Sequence, residues 1–227
     1  MSSCRLAHAR KWFNDELLSH LINGAALGLP VESPKRTHVL TGVDTLLLYQ
    51  SPERTAKRIK QRWGVAGNPS ASTRVAENVL LREYLSDKMC AALFALDDHW
   101  VVVVVDPSHR FLAGAVLLNS LKSIKHTVKV NKSLRKDAVP TTMGAYILDT
   151  LRNIYHEHTL KDIQHALENP VVAPQQPNNC DCGPYCILDI HRVLRLTEGN
   201  REDNLAILLT EPSENTRQFC RNLLLEP

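Results

Sequence analysis

The sequence predicts an α+β fold, with helices towards both ends of the chain and one sheet in the middle. Three short apolar runs lie close together at the centre, and segments with helical patterns precede and follow them. The second run, WVVVVVD, consists almost entirely of β-branched residues, which favour a buried strand over a helix. Turn-forming residues separate the runs. We therefore expect three consecutive strands of one sheet with helices around it.

Four segments precede these strands. Leucine and isoleucine at helical spacing behind an Asn-Asp pair predict a first helix at 14–26. A short apolar segment lies at 43–49, residues 50–75 contain a helix flanked by loops, and residues 75–85 form a further helix. The middle helix carries a basic run, for which a solvent-exposed face is the simplest interpretation and a binding patch the alternative. The run comprises Lys57, Arg58, Lys60 and Arg62.

The predicted strands and the elements after them follow from the same patterns. Helical spacing continues to the end of the chain, with an interruption near Pro212. The strands are at 89–96, 100–106 and 113–118, and the helices at 141–155, 159–168, 185–196 and 205–225. We expect a single domain over 1–227, with a core at about 10–196 and a helical extension at 197–227.

Composition and charge exclude several classes of function. The 27 basic and 24 acidic residues nearly cancel, so there is no electrostatic argument for a nucleic-acid partner. No apolar run approaches the roughly 20 residues that a membrane span requires. The first residues lack the apolar core of a secretion signal, so we expect an intracellular protein whose six cysteines are free thiols. We expect a monomer without a metal or cofactor.

The segment NNCDCGPYC contains the densest chemistry. Cys182 follows an irregular loop and directly precedes an apolar helix, where unpaired N–H groups and the helix dipole favour a thiolate. Pro184 is compatible with a first helical turn. Taken alone, the loop supports a nucleophile and an inert packing cysteine equally. A zinc cluster is less favoured, because its spacing lacks the usual cysteine pairs; its ligands would be Cys180, Cys182, Cys186 and His191.

A nucleophilic thiol needs a base, and His99 is well placed at the start of the valine strand. A packing or surface histidine is the alternative. Asp106 cannot orient His99, because it lies about 23 Å further along the same strand. A hairpin loop at 107–111 would instead place Asn119 directly across from His99, although a one-residue slip would turn it to the other face.

Three motifs together resemble the ubiquitin-like-protein proteases, which are SUMO- or sentrin-specific cysteine isopeptidases related to the adenovirus protease. The motifs are WFNDE at Trp12–Glu16, the pair His99-Trp100 before the valine strand, and PQQPNNCDCG, in which Gln176 precedes Cys182 by six positions. The resemblance implies a papain-like fold with a central mixed or antiparallel sheet. It further implies that Cys182 is the nucleophile, His99 the general base and Gln176 the oxyanion donor.

The resemblance also implies substrate contacts. Trp12 and Trp100 would close over the diglycine tail of a modifier, and Asp15 matches an acidic position near the modifier-binding surface, although it could equally cap a helix. Family members usually carry aspartate where Asn119 aligns, after a shorter interval from the histidine. An asparagine can still orient the imidazole, as in other papain-like sites, so an active variant, a shifted alignment and a weakened site remain alternatives.

The sequence therefore predicts a thiol-dependent hydrolase that cleaves after the C-terminal diglycine of SUMO, ubiquitin or a relative. Such an enzyme would act in the nucleus or cytoplasm, or as an effector delivered into a host cell. Two alternatives use the same fold. One is an acetyltransferase, for which the basic segment 57–62 is the only indication of an acyl-carrier site, and the other is a catalytically weakened module that only binds the modifier.

Overall fold

The computed structural model describes residues 37–65, 76–96, 99–121, 127–128, 141–177, 181–212 and 215–225. The predicted first helix at 14–26 lies outside these residues. Within them, no helix is both long and apolar enough to cross a membrane.

A four-stranded mixed sheet forms the centre of the protein. Its strand order is β1-β2-β3-β4, with β1 parallel to β2 and the other neighbours antiparallel. The strands are β1 (Thr37–Leu40), β2 (Met89–Leu96), β3 (His99–Val105) and β4 (Ala115–Leu118). The three predicted central strands and the α+β class are confirmed, whereas β1 was missed because its four residues lie in a polar stretch. A separate two-stranded sheet pairs β5 (Thr127–Val128) with β6 (Thr141–Thr142).

Eight helices are present in the described part of the chain. They are α1 (Gly42–Gln50), α2 (Pro52–Arg62), α3 (Glu77–Leu85), α4 (Met143–Leu151), α5 (Glu157–Glu168), α6 (Cys182–Val193), α7 (Arg201–Leu209) and α8 (Thr216–Leu225). The apolar segment at 43–49 lies in α1, whose N-terminus has a capping box formed by Thr41 and Asp44. The predicted interruption near Pro212 is confirmed, since α7 and α8 are separate helices.

Strand β3 is buried on both faces, which explains its uninterrupted apolar sequence. Trp100, Val102 and Val104 pack in the same cluster as helix α6. The alternate residues Val101 and Val103 pack on the other face, against helices α1 and α4. A strand that is covered on both sides needs no polar alternation. The sheet is therefore the middle layer of the described part of the protein, and its end at residue 99 is buried.

The register between β3 and β4 differs from the predicted one by two residues. Val102 lies opposite Leu118, so Asn119 is a diagonal neighbour of His99 and not its direct partner. The prediction of a hairpin loop at 107–111 was wrong, because the connection is longer. A shift of two residues keeps each side chain on its original face, so His99 and Asn119 still share one side of the sheet.

Asp106 organises this longer connection. Its buried carboxylate accepts hydrogen bonds from the backbone N–H groups of Phe111 (2.6 Å) and Leu112 (2.8 Å), and from the hydroxyl of Ser108 (3.0 Å). Three hydrogen bonds to one carboxylate stabilise this compact turn. Asp106 is thus a structural residue at the opposite end of β3 from His99, in agreement with its exclusion as an orienting group.

Helices α7 and α8 continue the same hydrophobic core. Leu208, Cys220 and Leu223 belong to the cluster that contains Cys182 and the inner residues of α6. Phe219 of α8 also packs edge-on against His191 of α6, with ring centroids 5.0 Å apart. The segment after residue 196 therefore supports the helix that begins with Cys182.

Candidate active site

Cys182 is the first residue of helix α6, three positions earlier than the sequence pattern indicated. Asp181 occupies the N-cap position, while Gly183 and Pro184 form the first turn. The thiol is only 4% exposed and packs in the cluster that contains Trp100. The predicted location of this cysteine at a helix N-terminus is therefore observed, but in a more enclosed environment than a surface nucleophile would have.

Burial and backbone N–H donors have opposite effects on the pKa of the Cys182 thiol. Burial raises the pKa of Cys182, and N–H groups of Trp100, Gly183 and Cys182 itself lower it in part by donating to the sulfur. The Asp181 carboxylate raises it further. Because the pKa of the thiol stays above its usual range, the helix N-terminus alone does not ionise it. A thiolate here needs a cationic partner.

The thiol lies beside the His99-Trp100 segment, since the Trp100 backbone is among the groups that lower its pKa and both residues pack in one cluster. His99 is buried at the start of β3, and its Nε2 lies 2.9 Å from Oδ1 of Asn119. Helix α6 packs across β3, which brings the N-terminus of the helix to this end of the strand. The structure thus brings three predicted residues, Cys182, His99 and Asn119, to one end of the sheet.

The hydrogen bonds of Asn119 determine the tautomer of His99. The backbone N–H of Leu121 donates to Asn119 Oδ1 at 3.0 Å, and a backbone N–H can only donate. The atom facing His99 is therefore the amide oxygen, so His99 Nε2 must carry the proton. In a neutral imidazole this leaves Nδ1 as the basic nitrogen. An asparagine at this position consequently orients the imidazole in the same sense as an aspartate would.

Gln176 is buried on the loop that leads towards α6, and two hydrogen bonds join it to Ser120. Its backbone N–H donates to the Ser120 carbonyl at 2.9 Å, and the Ser120 hydroxyl donates to Gln176 Oε1 at 2.9 Å. The neighbouring Gln175 side chain donates to the Asn119 carbonyl at 3.2 Å. The predicted oxyanion donor therefore lies directly beside the segment that contacts His99.

Three of the residues that support this site were not predicted from the sequence. Ser120 adjoins Asn119 and carries no motif of its own, whereas Gln175 lies within PQQPNNCDCG but was assigned no role. Arg217 of α8 forms an ion pair with Asp181, the residue before Cys182, and both side chains are largely buried. No local pattern could have connected Arg217 with a residue 36 positions earlier.

Trp100 lies in the core cluster beside Cys182 and is 6% exposed. Its indole Nε1 is buried and has no hydrogen-bond partner among the described residues. A buried donor without an acceptor costs free energy, and such groups are uncommon in folded proteins. The two other predicted substrate contacts, Trp12 and Asp15, lie outside the described residues.

The residues of the alternative zinc cluster occupy different environments. Cys186 is buried in the core, where burial raises the pKa of its thiol well above the usual range. Burial also lowers the pKa of His191 to about 4, with Arg195 and Arg192 adding to the effect. Cys180 lies outside the described residues. In the part of the chain that the structure describes, no group of three histidine, cysteine or acidic side chains could hold a metal ion.

The basic run on α2 is engaged largely within the protein. Arg58 and Arg62 both pair with the fully buried carboxylate of Asp44, at 3.1 Å and 2.7 Å. Lys60 is itself buried and pairs with Glu77 at 2.9 Å. The run is therefore neither a wholly solvated face nor an unoccupied binding patch, and its charges tie α2 to its neighbours.

The site has the composition found in papain-like cysteine hydrolases. It combines a cysteine at a helix N-terminus, a histidine hydrogen-bonded to an asparagine, and a nearby glutamine. Residues 11–219 match the Ulp1 protease family, C-terminal catalytic domain, and the chain belongs to that family. No curated protein sequence matches the chain significantly.

Two solved structures illustrate the shared fold. One is the SUMO protease Ulp1 with its catalytic cysteine oxidised to a sulfinic acid, at 15% identity and a TM-score of 0.53, covering 94% of this chain and 76% of that one. The other is the Xanthomonas campestris effector protein XopD bound to ubiquitin, at 13% identity and a TM-score of 0.51, covering 94% of this chain and 90% of that one. At these identities the likeness concerns the fold.

Proposed function

We propose that the protein is a cysteine isopeptidase that cleaves after the C-terminal diglycine of a ubiquitin-like modifier. Cys182 would be the nucleophile, His99 the general base and acid, Asn119 the orienting group and Gln176 the oxyanion donor. The observation that carries the proposal is that Cys182, the first residue of α6, packs in the same cluster as Trp100, whose chain neighbour His99 lies 2.9 Å from Oδ1 of Asn119 through its Nε2.

The reaction begins with proton transfer from Cys182 to Nδ1 of His99. Burial disfavours a lone thiolate, so the imidazolium that forms supplies the partner charge, and Asn119 Oδ1 accepts the hydrogen bond from the other ring nitrogen. The thiolate then attacks the carbonyl carbon of the last glycine. Its C–N bond breaks as the imidazolium returns the proton to the leaving lysine amine, and water hydrolyses the resulting thioester.

The developing oxyanion requires donors close to the sulfur. The backbone N–H of Cys182 lies at the N-terminus of α6, and the Gln176 amide can supply a second donor. Loss of one such donor typically lowers kcat by about 10²–10³-fold. These two groups match the usual composition of an oxyanion hole, one backbone and one side-chain donor.

The indole N–H of Trp100, which has no acceptor among the described residues, supports a role in holding the substrate tail. A carbonyl of an extended diglycine segment beside Cys182 would provide such an acceptor. Trp12, Trp100 and Asp15 are proposed as substrate contacts. The relatives described above are a SUMO protease and a ubiquitin-bound effector, so both modifiers are candidate substrates.

The proposal places the whole chain in one catalytic domain and the protein in a reducing compartment of a cell, because oxidation of Cys182 would remove the nucleophile. The acetyltransferase alternative is not favoured by any observation, since Arg58, Lys60 and Arg62 are engaged in internal ion pairs.

The test uses C-terminal electrophile probes of SUMO, ubiquitin and the neddylation modifier. We expect the wild-type protein to form a covalent adduct with at least one probe, and Cys182→Ala to form none. Cys186→Ala is the matched control, because it removes another buried thiol one helical turn away and should keep the adduct. Binding of a modifier without any adduct would contradict the isopeptidase and support a binding module.

A further inference from the structure

The two residues that follow β4 contact two different parts of the candidate active site. Asn119 contacts the base through its side-chain oxygen, and Ser120 contacts the oxyanion donor through its hydroxyl. Backbone carbonyls of the same two residues accept from Gln175 and Gln176. Gln175 and Gln176 thus connect their loop to the segment that contacts His99.

The side chain of Gln176 has two chemically opposite ends. Its amide nitrogen can stabilise an oxyanion, whereas its carbonyl oxygen would repel one. A glutamine amide is otherwise free to rotate by half a turn at little cost, so a donor role requires a contact that distinguishes the two ends. The Ser120 hydroxyl donates to Oε1 at 2.9 Å, which leaves Nε2 as the end that can face the reaction.

The contact between Ser120 and Gln176 is shielded from water. Ser120 is 5% exposed and Gln176 is 8% exposed, so water competes little for either group. The backbone bond between the same two residues keeps their separation constant without the hydroxyl. Removal of the hydroxyl should therefore leave the loop in place, while Gln176 Oε1 loses the donor that distinguishes it from Nε2.

We propose that Ser120 is a positioning residue for the oxyanion donor: its hydroxyl holds Gln176 Oε1 and thereby presents the amide nitrogen to the acyl transfer reaction. The inference rests on the proposed function, since it concerns the step in which Cys182 attacks a carbonyl. It also makes the pair Asn119-Ser120 a common support, with one residue acting on the base and the next on the oxyanion donor.

A double-mutant cycle tests this role. We expect Ser120→Ala to lower kcat on a modifier substrate by about tenfold, less than the loss of a donor itself, with KM changed less than twofold. In a Gln176→Ala background, Ser120→Ala should lower kcat by less than twofold more, because the amide it orients is gone. Thr150→Val is the matched control, since it removes a buried hydroxyl that bonds only to the Tyr146 carbonyl in α4, and should leave kcat unchanged.

Alkylation of Cys182 by iodoacetamide separates this effect from damage to the nucleophile. That displacement forms no oxyanion at a carbonyl, so Ser120→Ala should alkylate at the wild-type rate, measured on the Cys182 peptide by mass spectrometry. Three results would each overturn the role of Ser120. Ser120→Ala could lower kcat equally with and without Gln176, it could leave kcat of the otherwise wild-type protein unchanged, or it could slow the alkylation of Cys182. Absence of Cys182-dependent turnover in the wild-type protein would instead overturn the proposed function, and this inference with it.

Discussion

Nε2 of His99 lies 2.9 Å from Oδ1 of Asn119, although the two residues are diagonal neighbours across β3 and β4. Diagonal side chains on one face of an antiparallel pair lie close enough for long side chains to meet. Asn119 follows the last residue of β4, and the N–H of Leu121 holds its amide oxygen. The orientation of the proposed base therefore depends on the end of a strand and on one local hydrogen bond.

This contact predicts opposite effects for two substitutions of Asn119. Asn119→Ala should lower kcat by about 10²-fold, because the imidazole loses its acceptor. Asn119→Asp keeps both accepted hydrogen bonds and adds a negative charge, which raises the pKa of the His99 imidazolium. We expect full or increased turnover for Asn119→Asp, with the alkaline limb of the kcat/KM profile moved to higher pH.

The measurement is a pH profile of modifier cleavage for the three proteins. Modifier affinity, measured in a Cys182→Ala background, should be equal for all of them. Wild-type turnover in Asn119→Ala would show that another residue orients His99.

The ion pair between Asp181 and Arg217 should influence the thiol. The Asp181 carboxylate raises the pKa of Cys182, and the Arg217 guanidinium offsets that charge. In a His99→Ala background, where the thiol titrates alone, Arg217→Gln should raise the thiol pKa and Asp181→Asn should lower it. Iodoacetamide alkylation of Cys182 as a function of pH measures both shifts.

The double variant Asp181→Asn/Arg217→Gln serves as the control for this pair. Its thiol pKa should lie close to that of the His99→Ala parent, since both charges are removed together. It should also be more stable than Arg217→Gln alone, because loss of one partner leaves a largely buried charge unpaired. Identical pKa values in all four proteins would contradict the electrostatic link.

The indole N–H of Trp100 can be removed without removing the aromatic ring. In Trp100→Phe the unsatisfied donor disappears, which offsets the loss of ring volume, so the free energy of unfolding should change by less than about 1.5 kcal/mol. Cleavage should suffer more, with kcat/KM about tenfold lower through an increased KM, because a substrate carbonyl loses its donor. Urea denaturation and steady-state kinetics measure the two effects; an unchanged KM would exclude a substrate contact for this N–H.

Asp189 of α6 should make stability depend on pH. Burial raises its pKa from 3.8 to about 7, opposed by Arg192. Between these values the folded protein holds a proton that the unfolded chain has lost, so the contribution of Asp189 to stability falls as pH rises from about 4 to about 7. Asp189→Asn should match the wild-type protein near pH 4 and exceed its free energy of unfolding at pH 8 by at least about 1.4 kcal/mol, the equivalent of one pKa unit.

Urea denaturation at pH 4, 6 and 8 measures this difference. Asp87→Asn, a change at an exposed position, is the control and should show no such trend. A constant difference between Asp189→Asn and the wild-type protein across the range would mean that Asp189 titrates normally.

The features that were predicted correctly from the sequence are those that depend on a few neighbouring residues. The valine run predicted a buried strand because backbone sterics and burial on both faces favour β-branched residues there. The change from an irregular loop to an apolar helix placed Cys182 at a helix N-terminus. Strand β1 was missed, because a four-residue edge strand has too short a pattern to be distinguished from a loop.

Strand register and contacts between distant parts of the chain could not be predicted, because local sequence patterns do not encode them. The register of β4 followed from a connection whose length is determined by Asp106 and its three donors. The contact of Ser120 with Gln176 joins positions 56 residues apart, and that of Asp181 with Arg217 joins positions 36 apart. Such pairs form only when packed elements bring their ends together.

The sequence by itself determined the α+β class, the central strands and the helix that begins near Cys182, together with motifs that indicated the family. Hydrophobic periodicity and local chemistry are sufficient for these features. Only the tertiary structure decided which atom of Asn119 faces His99, and that burial raises the pKa of the Cys182 thiol more than the backbone N–H groups lower it. Both results depend on desolvation and on donors from separate elements, which exist only after the chain has packed.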